Sequence, residues 1–405
     1  GSWGFASNPE ITDDAVRLAI KAATDNALFL DSREHKDKGR LPITTASSSN
    51  DYSTGKPRLS QKELVEFARE LDDHIVGKYP DLASRTVSIS CLDMEKTLLT
   101  ADGSYSHSMI PRSFIYVVLS LLKDGNPVEL AEVYGGLGQF EDIFSSPSQL
   151  SEGINTQYEH LVKKGEGVFP KAGLRTCVLA ADLAGILAHE AIGHTTEADM
   201  VMSGSVASGK IGKRVASPLV TLIDFANSYG DQTCPVPVYV DDEGTEAKDA
   251  MIIESGTLRG YLHNKESAKH FGVSPTGNAR AFQFSDEPLI RMRNTAILPG
   301  TDELNDMIAS IDDGYYLIKP SNGQADSTSE FMFGITLGYE IKNGKIGRAI
   351  RDTTISGVAF DVLKTVTMIS PEMKWISGGM CGKKQPIPVG MGGPAIKCKV
   401  TIGGR

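Results

Sequence analysis

The chain has 405 residues, room for two or three domains at ~150 residues each and ample for a buried core. With 51 acidic against 41 basic residues its net charge is −10, so it lacks the basic face that nucleic-acid phosphates require. No apolar run reaches the ~18–20 residues that cross a bilayer, no basic-then-apolar leader is visible, and five cysteines suit reduced thiols; the reading is a cytoplasmic chain with neither nucleic acid nor membrane as partner.

Along the chain, Val16, Ala19, Ile20 and Ala23 form a helical stripe over Thr12–Leu28. Residues 31–59 are polar and read as loop with one short strand. Ser60 with Glu63 forms a capping box, opening a helix through Leu64, Ala68, Leu71 and Ile75 that ends before Tyr79-Pro80. Strands are expected at Thr86–Cys91, Lys96–Ala101 and Arg112–Leu122. Leu150, Ile154, Tyr158 and Leu161 mark one more helix, and Lys163-Lys164-Gly165 closes it as a domain boundary.

Glycine divides the chain at that boundary: 12 lie in residues 1–165 and 29 in 166–405. The expected fold is α+β. An N-terminal α/β-type sandwich domain (1–165) precedes a Gly-rich, mostly antiparallel β domain (166–405). In the second, Arg175–Leu179 reads as a strand and Asp182 as the cap of a helix through Leu183, Ile186 and Leu187. Short strands follow at Leu219–Ile223, Pro237–Val240, Ala250–Ile253 and Thr257–His263, then a helix over Asp302–Asp312 and a last run of strands.

That second region carries His189-Glu190-Ala191-Ile192-Gly193-His194. Two imidazoles beside a glutamate are what a hydrolytic zinc site needs: neutral nitrogen ligands and a carboxylate to take a proton from water. The spacing is i, i+5, which on a regular α-helix sets the rings about 140° apart. Joint ligation therefore requires a π-type turn or termination at Gly193, whose missing side chain supplies the freedom. In a regular helix Glu190 and His194 would share a face instead. A third ligand is required, and Cys381 is the candidate thiol, in a glycine-flanked loop followed by Lys383. Cys91 and Cys177 fall in apolar strand patterns and read as buried; Cys234 and Cys398 read as structural.

These residues, set in Leu187–Asp199, resemble the active helix of the TldD/PmbA metalloprotease family, in its catalytic TldD-type branch. The resemblance runs on through Val240–Thr245, Gly256–Tyr261, Pro275–Arg280, Gly323–Asp326 and Cys381–Lys383 followed by Pro388-Val389-Gly390. It implies a zinc peptidase with His189, His194 and Cys381 as ligands and Glu190 as the general base acting on metal-activated water. It also implies unfolded or short, possibly modified, peptides as substrates, and a homologous partner subunit in a heterodimer, or a homodimer. Arg280 and His263 are candidates for oxyanion or substrate contact. Glu197 and Asp199 are candidates to orient a ligand histidine from behind. Gly1–Ser7 resembles a strand that family members carry after some tens of residues, so the N-terminal domain is expected to lack its first elements. Two other readings stand beside this one: a non-catalytic scaffold subunit, and a zinc hydrolase of a non-peptide amide.

Overall fold

The structure, a computed structural model, describes residues 2–34 and 39–403. Helix Asp13–Glu34 outruns its expected end, so the loop expected over 31–59 starts later; its residues 35–38 lie outside the described residues. One long strand, Tyr105–Lys123, organises the N-terminal part. Ser84–Leu99 lies antiparallel along one edge; Ser47–Asp51 (parallel) and Asn126–Leu137 (antiparallel) share the other. Ile115, Val117 and Leu119 turn the same face at the two-residue period of a strand. Leu71 and Ile75 of helix Gln61–Lys78 and Ile154 and Leu161 of helix Ser151–Gly165 are buried against them.

The two strands expected at Thr86–Cys91 and Lys96–Ala101 are one, Ser84–Leu99. The alternation changes phase at Cys91–Leu92, which mimics a break. The backbone in fact continues and only the covered face changes. Val87 and Ile89 pack under the helices, whereas Lys96 reaches across to Asp242 at 2.8 Å. Cys91 sits at the switch and is exposed, not buried as its apolar neighbours suggest.

Two large sheets and two short two-stranded ribbons make up the remainder among the described residues. In one sheet, Asp313–Ala325, Gly173–Leu179, Ile396–Ile402, Thr353–Val358 and Glu330–Lys342 pair in that order. Asp313–Ala325 pairs with Glu330–Lys342 as well, which closes a ring. The other runs Thr257–Leu258, Ala250–Glu254, Leu222–Phe225, Asn294–Ile297, Ile387–Gly393 and Lys374–Cys381. Pro237–Val240 is not a strand: prolines at 235 and 237 donate no ladder bonds, and Val240 makes only an isolated bridge to Glu246.

Between the sheets runs a helix that is apolar around most of its circumference, as a largely enclosed helix must be. Leu183, Ala184, Leu187, Ala188, Ala191 and Ile192 are all buried. It starts at Ala181 with Ala180 as its cap residue; Asp182 lies in the first turn and pairs with Lys319 at 2.9 Å instead of capping. At its far end the hydroxyls of Thr195 and Thr196 donate to the carbonyl of Ile192, competing with the helix for that acceptor.

Small residues let this helix approach so closely. A Cβ at Gly185 would meet the backbone of Met391 and Gly392 at 3.1 Å, and one at Gly193 would overlap Met292 Sδ. Gly193 itself has φ −55°, ψ −53°, which any residue adopts. Space, not the backbone freedom inferred from sequence, demands glycine there. Gly193→Ala should therefore cost about 1–3 kcal/mol as an overpacked core does. Most of that should return in Gly193→Ala/Met292→Ala, measured by urea unfolding. A double variant as unstable as the single one would show that the backbone is at fault.

Candidate metal centre

The helix changes pitch where the histidines lie. Residues Ala181–Ile186 are α-helical, Leu187–Gly193 form a π-helix and His194–Thr196 a 3₁₀ turn. The His194 amide donates to the His189 carbonyl, an i+5 bond that sets one imidazole above the other. Their ring centroids are 5.2 Å apart at 79°. The regular helix that would leave only Glu190 and His194 on one face is absent.

Cys381 arrives at the end of the edge strand Lys374–Cys381, with its Sγ 3.3 Å from His194 Nε2. Ligand atoms of His189, His194 and Cys381 all lie within 4.8 Å of one another. Both ring nitrogens of the fully buried His189 have no hydrogen-bond partner among the described residues. Leaving such atoms unpaired costs about 1–3 kcal/mol, and a cation at the centre of the trio would pair one of the two. Two imidazoles and a thiolate are a donor set suited to zinc, so the residues present fit the metal.

Electrostatics separate Cys381 from the other buried thiols. Burial, helped by the neighbouring Cys398, pushes Cys177 well up, and burial alone takes Cys398 to about 12. Burial also raises Cys381, but His189 and His194 overcome it and bring the thiol down to about 3. Burial lowers His194, yet Glu197 and Cys381 hold it well above the ordinary imidazole range. Without metal the pair is thus thiolate and imidazolium, and a cation must displace the His194 proton. Since that proton is lost only as pH rises through a raised value, apparent zinc affinity should climb with pH from the ordinary imidazole range upward, by at most about tenfold per pH unit while the proton is held. Competition with a chelator across that range tests this; a flat profile would mean His194 carries no proton to displace.

Glu190 points into an open cavity of about 420 Å³, its Oε2 3.6 Å from His194 Nε2. The same cavity is walled by Met200, Met380 and Lys383 and by Gly323, Gln324 and Ala325 of the ring strand. A slightly larger cavity, about 490 Å³ between Ser310–Asp313 and Lys397–Lys399, contains none of these donors.

Glu197, fully buried, accepts from His194 Nδ1 at 3.0 Å, leaving Nε2 toward Cys381. Asp199 touches no histidine among the described residues; it accepts from Lys383 Nζ at 2.7 Å and 2.9 Å. Arg280 is not beside the cavity. It is buried and spends its guanidinium on the carbonyls of Met292 and Pro388, so it braces strands. His263 is also elsewhere, packed against Tyr261 and Phe271 with Nδ1 on Ser267, and burial lowers it to about 4. Two residues at the site escaped the sequence. Arg291, fully buried, donates to the carbonyls of Cys381 and Gln385, each at 2.8 Å. Lys383 Nζ lies 3.0 Å from Glu197 and 2.7 Å from Asp199. Arg291 and Arg293 alternate with Met292 as surface strand residues would, so nothing signalled their burial. Lys383 had a signal, its place two residues beyond Cys381.

The family model described as PmbA/TldA metallopeptidase C-terminal domain matches residues 173–404. The chain is 30% identical over 416 residues to a zinc metalloprotease TldD homolog of Saccharolobus solfataricus, covering 100% of this chain and 88% of that one. It is 37% identical over 415 residues to a metalloprotease of Archaeoglobus fulgidus, covering 100% and 90%. Among solved structures, TldE from Thermococcus kodakarensis superposes with a TM-score of 0.75 at 19% identity, covering 98% of this chain and 86% of that one. A Thermotoga maritima protein titled a putative modulator of a DNA gyrase gives 0.76 at 20% identity, covering 95% and 83%. These two likenesses speak for the fold; the family model and the full-length identities carry the assignment. With its β-rich C-terminal region matched and relatives aligned along its whole length, the chain belongs to the PmbA/TldD metallopeptidase family.

Proposed function

We propose that this protein is a zinc-dependent peptidase of unfolded or short peptides, with His189, His194 and Cys381 as ligands and Glu190 as general base. The observation that carries this is the meeting of two imidazoles and a thiolate around unpaired nitrogens, next to a carboxylate that opens on a cavity. Bound zinc would act as a Lewis acid there, making water acidic enough to deprotonate near neutral pH. The chain's own part is proton traffic and positioning. Glu190 takes the water proton and passes it to the leaving amine, while Glu197 fixes the His194 ring.

An extended peptide is favoured over a small amide by the ring strand. Asp313–Ala325 pairs with Gly173–Leu179 only from Gly314 to Leu317. Beyond that point one edge is unpaired among the described residues, and Gly323–Ala325 reach the cavity beside Glu190. A substrate adding to that edge would be held by backbone hydrogen bonds, which suits many sequences and excludes folded proteins. Leu18, Ile20, Leu28 and Phe29 are exposed on helix Asp13–Glu34, which supports a partner subunit, homologous or a second copy. No described helix is long and apolar enough to cross a membrane.

The test is zinc content of the purified protein with hydrolysis of casein beside small amide substrates, alone and with a homologous partner. One zinc per chain and cleavage of casein are expected. Zinc with hydrolysis of small amides alone would favour the non-peptide reading; zinc-free, inactive protein would make the chain a scaffold subunit.

A further inference from the structure

The geometry points to Lys383 as a positioning residue for zinc binding, acting through Glu197 on His194; this rests on reading the site as a metal centre. Glu197 is fully buried, and one of its oxygens, Oε2, serves two partners: His194 Nδ1 at 3.0 Å and Lys383 Nζ at 3.0 Å. Its other oxygen, Oε1, has no partner among the described residues. The orientation of this carboxylate is therefore set by two contacts alone, one to the ligand histidine and one to the lysine.

Lys383 is itself held on three sides. Both oxygens of Asp199 accept from it, at 2.7 Å and 2.9 Å, as does the Ile290 carbonyl at 3.2 Å. Its side chain is 11% exposed, so the pairing is shielded from water far more than a surface ion pair. Removing one partner from such a buried cluster leaves an uncompensated charge, which is far costlier than replacing the whole cluster. Without the lysine, Glu197 would turn or draw in water, and His194 would lose the orientation that aims Nε2 at Cys381.

Placement in the chain gives the contact a second consequence. Lys383 follows Cys381 by two residues, so one strand end and the turn after it deliver both the thiolate and the cation that steadies the histidine from behind. Arg291 pins the same segment at the carbonyls of Cys381 and Gln385. Seating the segment therefore completes both halves of the ligand set together. A turn displaced at 382–385 would unlock His194 and loosen the strand end that carries the thiolate.

The test measures zinc affinity of the purified full chain by competition with a zinc chelator, for Lys383→Met, Lys383→Arg, Glu197→Gln and the Glu197→Gln/Lys383→Met pair. Lys383→Met should weaken zinc binding by about 10–100-fold, the usual worth of an outer partner of a metal-bound histidine. Lys383→Arg should restore most of it. In the Glu197→Gln background the methionine should add less than about threefold, because the carboxylate it acts through is gone. Equal effects in both backgrounds, or unchanged affinity in Lys383→Met, would overturn the inference. If Lys383→Met fails to fold, Asp199→Asn reads the same contact: a several-fold weakening supports it and no change sinks it. Wild-type chain that binds no zinc would instead overturn the metal centre itself.

Discussion

Glu190→Gln is expected to keep zinc bound and to lower kcat by about 10²–10⁴-fold, the usual contribution of a general base. Glutamine keeps the size and the hydrogen-bonding shape of the side chain but cannot take a proton at neutral pH. The separation of roles follows from position. Glu190 Oε2 is 3.6 Å from His194 Nε2 and Oε1 is 4.0 Å from His189 Nε2, and the side chain faces the cavity. The ligand trio closes without it. Zinc stoichiometry and steady-state kinetics on the same preparation give the answer. Loss of metal in this variant would make Glu190 a ligand, and a residual rate near wild type would move the base elsewhere.

The elements that could be read from sequence are those whose cause is local. The Ser60 capping box is formed as written, with the serine oxygen accepting from Glu63 and helix Gln61–Lys78 following. The strands were harder because their pattern is set by what covers them. Ser84–Leu99 changes its buried face halfway, since helices lie over one end and the C-terminal region over the other, and a one-residue phase change looks like a turn. Asn126–Leu137 went unread although a turn precedes it. Asp124 and Gly125, with φ 51° and 76°, make that turn a tight hairpin that forces a partner strand.

At the site, the spacing of the two histidines carried the information. Two rings five residues apart can share a metal only through a π turn or an end at Gly193, and the structure has the π turn, over Leu187–Gly193. What sequence could not show is who surrounds whom. Arg280 belongs to a buried brace because its neighbours are carbonyls brought from residues 292 and 388. His263 turned inward because Tyr261 and Phe271 enclose it. Glu197 and Asp199 differ by two positions, yet Glu197 bridges the histidine and the lysine whereas Asp199 meets the lysine alone. That distinction depends on a loop almost two hundred residues away, which no local pattern encodes.

Cys381→Ser should abolish stoichiometric zinc binding, whereas serine at Cys91, Cys177, Cys234 or Cys398 should leave it intact. The thiol at 381 is already a thiolate near neutral pH, and thiolate is a strong zinc donor; a serine hydroxyl stays protonated and binds weakly. Cys177 and Cys398 face each other across Gly173–Leu179 and Ile396–Ile402 inside the core, far up in pKa from burial. Serine there should cost about 1–3 kcal/mol for a buried hydroxyl while zinc is retained. Cys91 is exposed, and its replacement should change neither quantity. The metal should also govern the local loop and not the whole C-terminal stretch. Lys374–Cys381 and Ile387–Gly393 are joined by their own ladder, so chelation has only the turn between them to loosen. Proteolysis with and without chelator should expose cleavage within 382–386 and leave the flanking strands protected. Zinc bound at full occupancy in Cys381→Ser would remove this residue from the centre. The depressed thiol would then be only a consequence of two neighbouring imidazoles, and the ligand set would have to be sought at Glu190 with the histidine pair.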